Sequence, residues 1–293
     1  MYAENETDKR NISVVSSGKA AEHALIGMLN FSFYDVRRKI CRIKQAGRGG
    51  IGTVFRDKKI KALVIKVSGV KGDMNRVVDM NAIRERGRKF NKEMMELDDS
   101  QARMKQVGTA HLVEIMNDYD LLPVHNFKFG SHPDAHKIDS KVLKKRFTQG
   151  MPDGCWLGCM MSCCKTVEGY EMKTGPYKGQ IVTVDGPEYE TVGALGSCCG
   201  IFDPEHPFEC NFYCDTYGID TISFAAECYE NGILNEERTG GLKLSFGNAD
   251  AVMELLHQMA RGEGFGVVVG SGVRKMKENS SRLKGEAEFY SLF

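Results

Sequence analysis

Residues 154–165 read GCWLGCMMSCCK. Cys155, Cys159 and Cys163 stand four apart, and Cys164 adjoins the last of them. Thiolates at such spacing suit a soft metal, most naturally iron–sulfur. On a helix the three would share one face; a cluster-binding turn would serve equally well. Nine of the ten cysteines fall between Cys155 and Cys228, a concentration that scattered core thiols would not produce. Two alternatives stand beside the cluster. One is ordinary buried thiols, since free cysteine is often interior. The other is zinc, although no paired CxxC or HxxxH partner is present.

Upstream of the cysteines, ISVVS (12–16) predicts a short strand, followed by a helix-like AAEHALIGML. YDVRRKICRIKQ (34–45) is basic, and Val36, Ile40 and Ile43 fit one helical face. AGRGGIG (46–52) follows, then the strand-like IKALVIKV (60–67). Its glycines permit positive φ and close backbone approach. With Lys44 and Arg48 beside them they could cradle a phosphate, or simply make a tight connection. Gly69 to Gly72 reads as a boundary. Residues 78–107 are rich in good helix formers, and 109–118 repeats an amphipathic pattern. Pro123 and Gly130 make 121–130 a loop; His125 there, and His111 upstream of it, are expected to pack or face solvent.

Downstream, 169–185 alternates around a turn and predicts a hairpin. GPEYE (186–190) sets two carboxylates around Tyr189, either an acid/base pair or a solvated loop. In CNFYCDTYGID (210–220) Gly218 suggests a helix end and Asp220 a new start. Residues 221–234 and 250–261 predict two more helices, the second with Val252, Leu255, Leu256 and Met259 on one side.

The bulk numbers narrow the classes. At 293 residues the chain has room for two domains of roughly 150 each. Forty basic residues nearly balance 39 acidic ones, so no nucleic-acid partner is expected. No apolar run reaches about 18 residues, and the N-terminus is polar, so neither a membrane span nor secretion is expected and a cytoplasmic location is. Ten cysteines in that setting suggest metal or redox chemistry rather than a disulfide framework.

Taken in order, AGRGGIG, LLPVHNF, the cysteine stretch, GPEYET..ALG and DTYGIDTIS resemble the tungsten-dependent aldehyde ferredoxin oxidoreductases. The resemblance covers about residues 12–272. The GC-W-x-GC form and NFSFYDVRRK lean towards a subgroup similar to the tungsten subunit of ATP-independent benzoyl-coenzyme A reductases.

The resemblance implies a tungsten (or molybdenum) bis-pterin beside a [4Fe–4S] cluster, with magnesium on the pterin phosphates. By it, Lys44 and Gln45 meet the pterin, with Gly47, Arg48, Gly49 and Gly50 behind them. Members often carry arginine and alanine where Lys44 and Gln45 stand; lysine keeps the charge but not the two-pronged geometry. Glu190 matches the carboxylate nearest tungsten, the candidate catalytic residue. Asp215, Gly218, Ile219 and Asp220 match the pterin motif, and Cys155, Cys159 and Cys163 match three cluster ligands.

There are departures. Three residues, not two, separate the first cysteines, and the fourth cluster cysteine and second pterin motif are not reached. Glu209 falls where some members bind an interfacial iron, but Met253 replaces the partner histidine, so no iron is expected there. The tail 279–293 does not look like the family, and a truncated or frame-shifted reading frame is expected.

The fold expected is mainly α. Residues 1–70 would be the end of a pterin-binding sheet domain, an α+β remnant. Residues 71–278 would be the helical domain and 279–293 an atypical tail. The expected activity is aldehyde oxidation, or reduction of acyl and oxo compounds, with electrons passing to ferredoxin or an iron–sulfur subunit. Aryl-coenzyme A reduction, and a non-catalytic fragment needing a complementing chain or a second copy, are the rival readings.

Overall fold

The computed structural model describes residues 3–67, 77–151, 153–155, 159–221, 234–272 and 275. The chain is mainly helical with a small sheet in front. After a one-turn helix α1 (Glu6–Arg10), strands β1 (Ile12–Ser17), β2 (Leu29–Asp35), β3 (Ile40–Ala46) and β4 (Ala62–Lys66) form an antiparallel sheet in the order β3-β2-β1-β4. Helix α2 (Ile51–Asp57) separates β3 from β4.

Residues 34–45 are not a helix. They close the β2–β3 hairpin, with Phe31 opposite Lys44 and Asn30 opposite Gln45. Asp35 Oδ1 accepts from the backbone N–H of Arg37 at 3.0 Å and Arg38 at 3.2 Å, making the turn. The helix-like AAEHALIGML is not an α-helix either: one 3₁₀ turn spans Lys19–Glu22, a turn and bends follow, and Gly27 bridges to Ile219. That tertiary pairing overrides the local propensity of the segment.

The helical body follows. Helix α3 (Met80–Met95) starts on Asp79, whose carboxylate accepts from the N–H of Asn81 and Ala82. Short helices α4 (Arg103–Val107), α5 (Leu112–Asp118) and α6 (Ser140–Leu143) lead to the cysteine stretch. The expected hairpin is present as β5 (Thr166–Glu171) and β6 (Ile181–Asp185). Then come α7 (Tyr189–Leu195), α8 (Glu205–Tyr217), α9 (Ala249–Arg261) and α10 (Gly266–Gly270).

Helix α8 is the centre of the core. Phe208, Cys210, Tyr213 and Cys214 are all buried, on more than one face, as a helix surrounded by neighbours requires. Helix α9 lays Val252, Leu255, Leu256 and Met259 into the same core, as its spacing predicts. The boundary at Gly69–Gly72, the helix expected over 221–234 except at its ends, and the tail 279–293 lie outside the described residues.

Candidate active site

A cavity of about 370 Å³ opens where the sheet, the cysteine stretch, the β6–α7 turn and α8 meet. Lys44, Gln45, Gly47 and Arg48 line it from the end of β3. Cys155 and Cys164 line it from the cysteine stretch, Glu188 and Glu190 from GPEYE, and Asp215 from α8. Lys44 and Asp215, 171 positions apart in sequence, thus share one wall system.

The glycine stretch is shaped by backbone. Gly47, Gly49 and Gly50 all have φ near +80°, where side chains are strained. Gly50 also passes so close to Leu25 that a Cβ would lie 2.3 Å from its carbonyl oxygen. The stretch is therefore a tight connection whose open side faces the cavity through Gly47 and Arg48. Gly49 has nothing within 4 Å of the Cβ position.

The end of α8 is pinned to the sheet. Gly218 caps the helix in the left-handed region. Its carbonyl accepts from the Met28 N–H at 2.7 Å, and the Asp220 N–H donates to the Ile26 carbonyl at 3.1 Å. Asn30 Nδ2 donates to the Asp215 carbonyl at 3.0 Å. Arg48 pairs with Asp220, tying the glycine stretch to this motif. Ile219 is buried and serves the packing of the turn. Only Asp215 of the four motif residues lines the cavity.

The charges around the cavity interact. Burial opposes the Lys44 charge, but the Asp185 carboxylate paired with it outweighs that and raises its pKa. Burial, then the Asp185 and Glu188 carboxylates, push Asp215 well above the usual carboxylate range. Its Oδ2 accepts from Asn211 Nδ2 at 3.0 Å. Burial also raises Glu188, whose Oε2 accepts from Thr109 Oγ1 at 2.5 Å. Glu190, in the first turn of α7, is the exposed member of the pair.

The cysteine stretch is a turn, not a helix, over its described residues: Asp153 bridges to Cys163 and Cys164, closing the loop on itself. Cys155 is exposed, Cys159 and Cys163 are half-buried, and residues 156–158 lie outside the described residues. Burial raises the Cys163 thiol, and Glu188, Cys155 and Cys159 are near enough to add to the effect. Among the described residues no three His, Cys, Asp or Glu side chains are already gathered to hold a metal. Cys155 and Cys159 also line a second cavity of about 550 Å³, against Phe31, Phe33 and Arg37. Cys155 and Lys44 belong to both cavities.

What holds this loop was not read from the sequence. Arg38 and Arg42, both interior, bridge Asp35 and Asp153. Arg42 Nη2 also reaches Asp185 Oδ1 at 2.7 Å and Thr166 Oγ1 at 2.9 Å. Behind the loop, Lys165 Nζ donates to the carbonyls of Lys105 and Ser162 at 2.7 and 3.1 Å. Gly108 approaches so closely that a Cβ would sit 2.5 Å from the Cys163 carbonyl oxygen. Asp35, Arg38, Arg42, Asp153 and Asp185, together with Glu188, Asn211 and Cys164, are the site residues that sequence reading missed or underweighted.

Two other expectations meet the structure here. Glu209 accepts from Thr174 N at 2.6 Å, Thr174 Oγ1 at 2.5 Å, Lys173 N at 3.2 Å and Tyr170 OH at 3.4 Å. Its carboxylate stitches the β5–β6 connection to α8. His111 is buried, its Nδ1 2.8 Å from the Gly108 carbonyl, and His125 stacks on Phe246.

Residues 85–290 match the family described as aldehyde ferredoxin oxidoreductase, domains 2 and 3. The chain is 30% identical over 251 residues to a tungsten-containing aldehyde ferredoxin oxidoreductase of Pyrococcus horikoshii, covering 82% of this chain and 39% of that one. It is 30% identical over 259 residues to the protein of the same description in Pyrococcus abyssi, covering 85% of this chain and 40% of that one. An aliphatic sulfonate oxidoreductase, WOR-like subunit, of Pyrococcus furiosus is 30% identical over 251 residues, covering 82% of this chain and 37% of that one. The chain thus spans about two fifths of the length of the curated relatives it matches.

Proposed function

The chain belongs to the aldehyde ferredoxin oxidoreductase family, and on that premise we propose that its cavity is the cofactor face of a tungsten–pterin oxidoreductase. The observation that carries the proposal is the convergence of Lys44, Gln45, Gly47, Arg48, Glu190 and Asp215 on one cavity with Cys155 at its rim.

The residues present fit a pterin. Gln45 Nε2 is a buried donor with no partner among the described residues, and such a group calls for a ligand or water. Asp215 is a carboxylate held protonation-prone by burial; ring N–H donors placed against it would favour its charged form. Lys44 and Arg48 supply positive charge for phosphate. Cys155, Cys159 and Cys163 would hold an iron–sulfur cluster at the junction of the two cavities.

When bound, the tungsten–pterin supplies two-electron chemistry on an aldehyde or an acyl or oxo carbon, and the cluster passes electrons on singly. The chain's own residues bind, orient and move protons. Glu190 faces the cavity from the start of α7 and accepts or returns the substrate proton. Glu188, bonded to Thr109, holds the turn, and its charge and that of Lys44 favour each other. Electrons leave to ferredoxin or an iron–sulfur subunit.

A second reading is that this chain works with a complementing chain or a second copy. Strand β4 is exposed along its whole length, Leu63, Val64 and Ile65 included, and α3 buries none of its residues. Apolar surface of that kind favours a partner. Aryl-coenzyme A reduction stands as an alternative substrate class. The test, on anaerobically prepared protein, is reduction of oxidised viologen with an aldehyde panel and, separately, oxidation of reduced viologen with aryl-coenzyme A. Aldehyde turnover supports the first reading, and turnover of aryl-coenzyme A alone selects the other.

A further inference from the structure

Three soft donors meet between α8 and α9, away from the cavity described above. His206 and Cys210 lie one turn apart on α8, and Met253 faces them from α9. Cys210 Sγ is 3.2 Å from His206 Nε2 and 3.2 Å from Met253 Sδ. All three are interior, at 6%, 0% and 5% exposure. We propose that His206, Cys210 and Met253 form a metal site for a monovalent soft ion, Cu(I).

The donor set selects the metal. A thiolate, a thioether and an imidazole together are soft ligands, matched to Cu(I). Zinc prefers four donors without a thioether. The neighbouring carboxylate, Glu209, is taken by Thr174, Lys173 and Tyr170, so it does not compete as a hard ligand.

The geometry needs little change. Bonds of about 2.1–2.3 Å around a three-coordinate ion place donors about 3.6–4.0 Å apart. Both 3.2 Å spacings must therefore open by about half an ångström, one through the unbranched Met253 side chain and the other through rotation of the His206 side chain. A route exists, because Met253 also lines a cavity of about 950 Å³ between α9 and the β5–β6 connection. Binding breaks the Cys210 Sγ–H bond and forms Sγ–Cu; the proton leaves to water, and copper stays Cu(I).

The test uses the full chain with Cys155, Cys159 and Cys163 changed to Ser, so that loop thiols do not compete. Cu(I) is titrated anaerobically against a coloured Cu(I) chelator. One ion should be retained per chain, with two sulfurs and one nitrogen in its X-ray absorption shell. Cys210→Ser in that background should release it. Met253→Leu, which conserves volume and keeps the fold, should weaken retention at least about tenfold. No retained ion in the parent, or retention unchanged by either substitution, overturns the proposal.

Discussion

Arg38 clasps Asp153 with both prongs of its guanidinium: Nη1 donates to Oδ1 at 2.8 Å and Nη2 to Oδ2 at 2.9 Å. The pair joins the β2–β3 turn to the foot of the cysteine loop. Both side chains are nearly inaccessible, at 4% and 6% exposure, so solvent screens the pair little. Arg42 adds contacts to Asp35, Asp153 and Asp185. The sheet therefore holds the loop through charge rather than through apolar packing.

Removing one member should expose what the network does. Asp153→Ala leaves Arg38 and Arg42 short of countercharge, a change that costs about 3–5 kcal/mol in buried pairs. The urea midpoint should fall accordingly, and alkylation of Cys159 and Cys163 should speed up as the loop loosens. An unchanged midpoint with unchanged alkylation would show that the loop is held by other contacts.

The same network sets an acid limit. Burial alone would raise Asp35, but hydrogen bonds from Arg38 and Arg42 outweigh it and lower its pKa to about 2. A depressed folded-state pKa stabilises above the unfolded value and loses that contribution as pH falls through the folded one. The loss should run from about pH 4 to about pH 2, and amount to about 2 kcal/mol. Asp35→Asn should remove that part of the slope in a pH series of unfolding free energies.

Gly50 tests the glycine stretch. Alanine there combines φ +80° with a Cβ 2.3 Å from the Leu25 carbonyl oxygen. Gly50→Ala should destabilise by about 1–3 kcal/mol and reduce pterin content of the isolated protein. Gly49→Ala, at a site with open space but φ +77°, carries only the backbone strain and should have the smaller effect on stability.

The two carboxylates of GPEYE should separate by readout. Glu190→Gln should lower kcat about 10²-fold or more with metal and pterin content unchanged. Glu188→Gln keeps an acceptor for Thr109, so the fold should hold. It removes the negative charge that helps keep Lys44 protonated, so the basic side of the pH–rate profile should move to lower pH.

Much of this was legible in the sequence, but not its wiring. Lys44, Gln45 and Arg48 fell at the cavity because motif order placed them there, although 34–45 reads as a helix. The misreading has a physical cause. β3 turns Arg42 inward, with Lys44 half-buried two residues on, to meet Asp185. The strand therefore lacks the alternating apolar signal that marks a half-buried strand. Asp35 and Asp153 carry no motif at all, and only the folded chain brings them to Arg38. α9, by contrast, packs into an ordinary apolar core, and its spacing predicted its buried face.

The most direct measurement is tungsten, iron and sulfide per chain in protein purified anaerobically from its native host, with any copurifying chain counted. The account predicts about one tungsten and four irons, with iron lost and tungsten kept in Cys159→Ser, and tungsten lost in Asp215→Ala. Protein that carries neither metal, or tungsten content indifferent to Asp215, would contradict the assignment of the cavity.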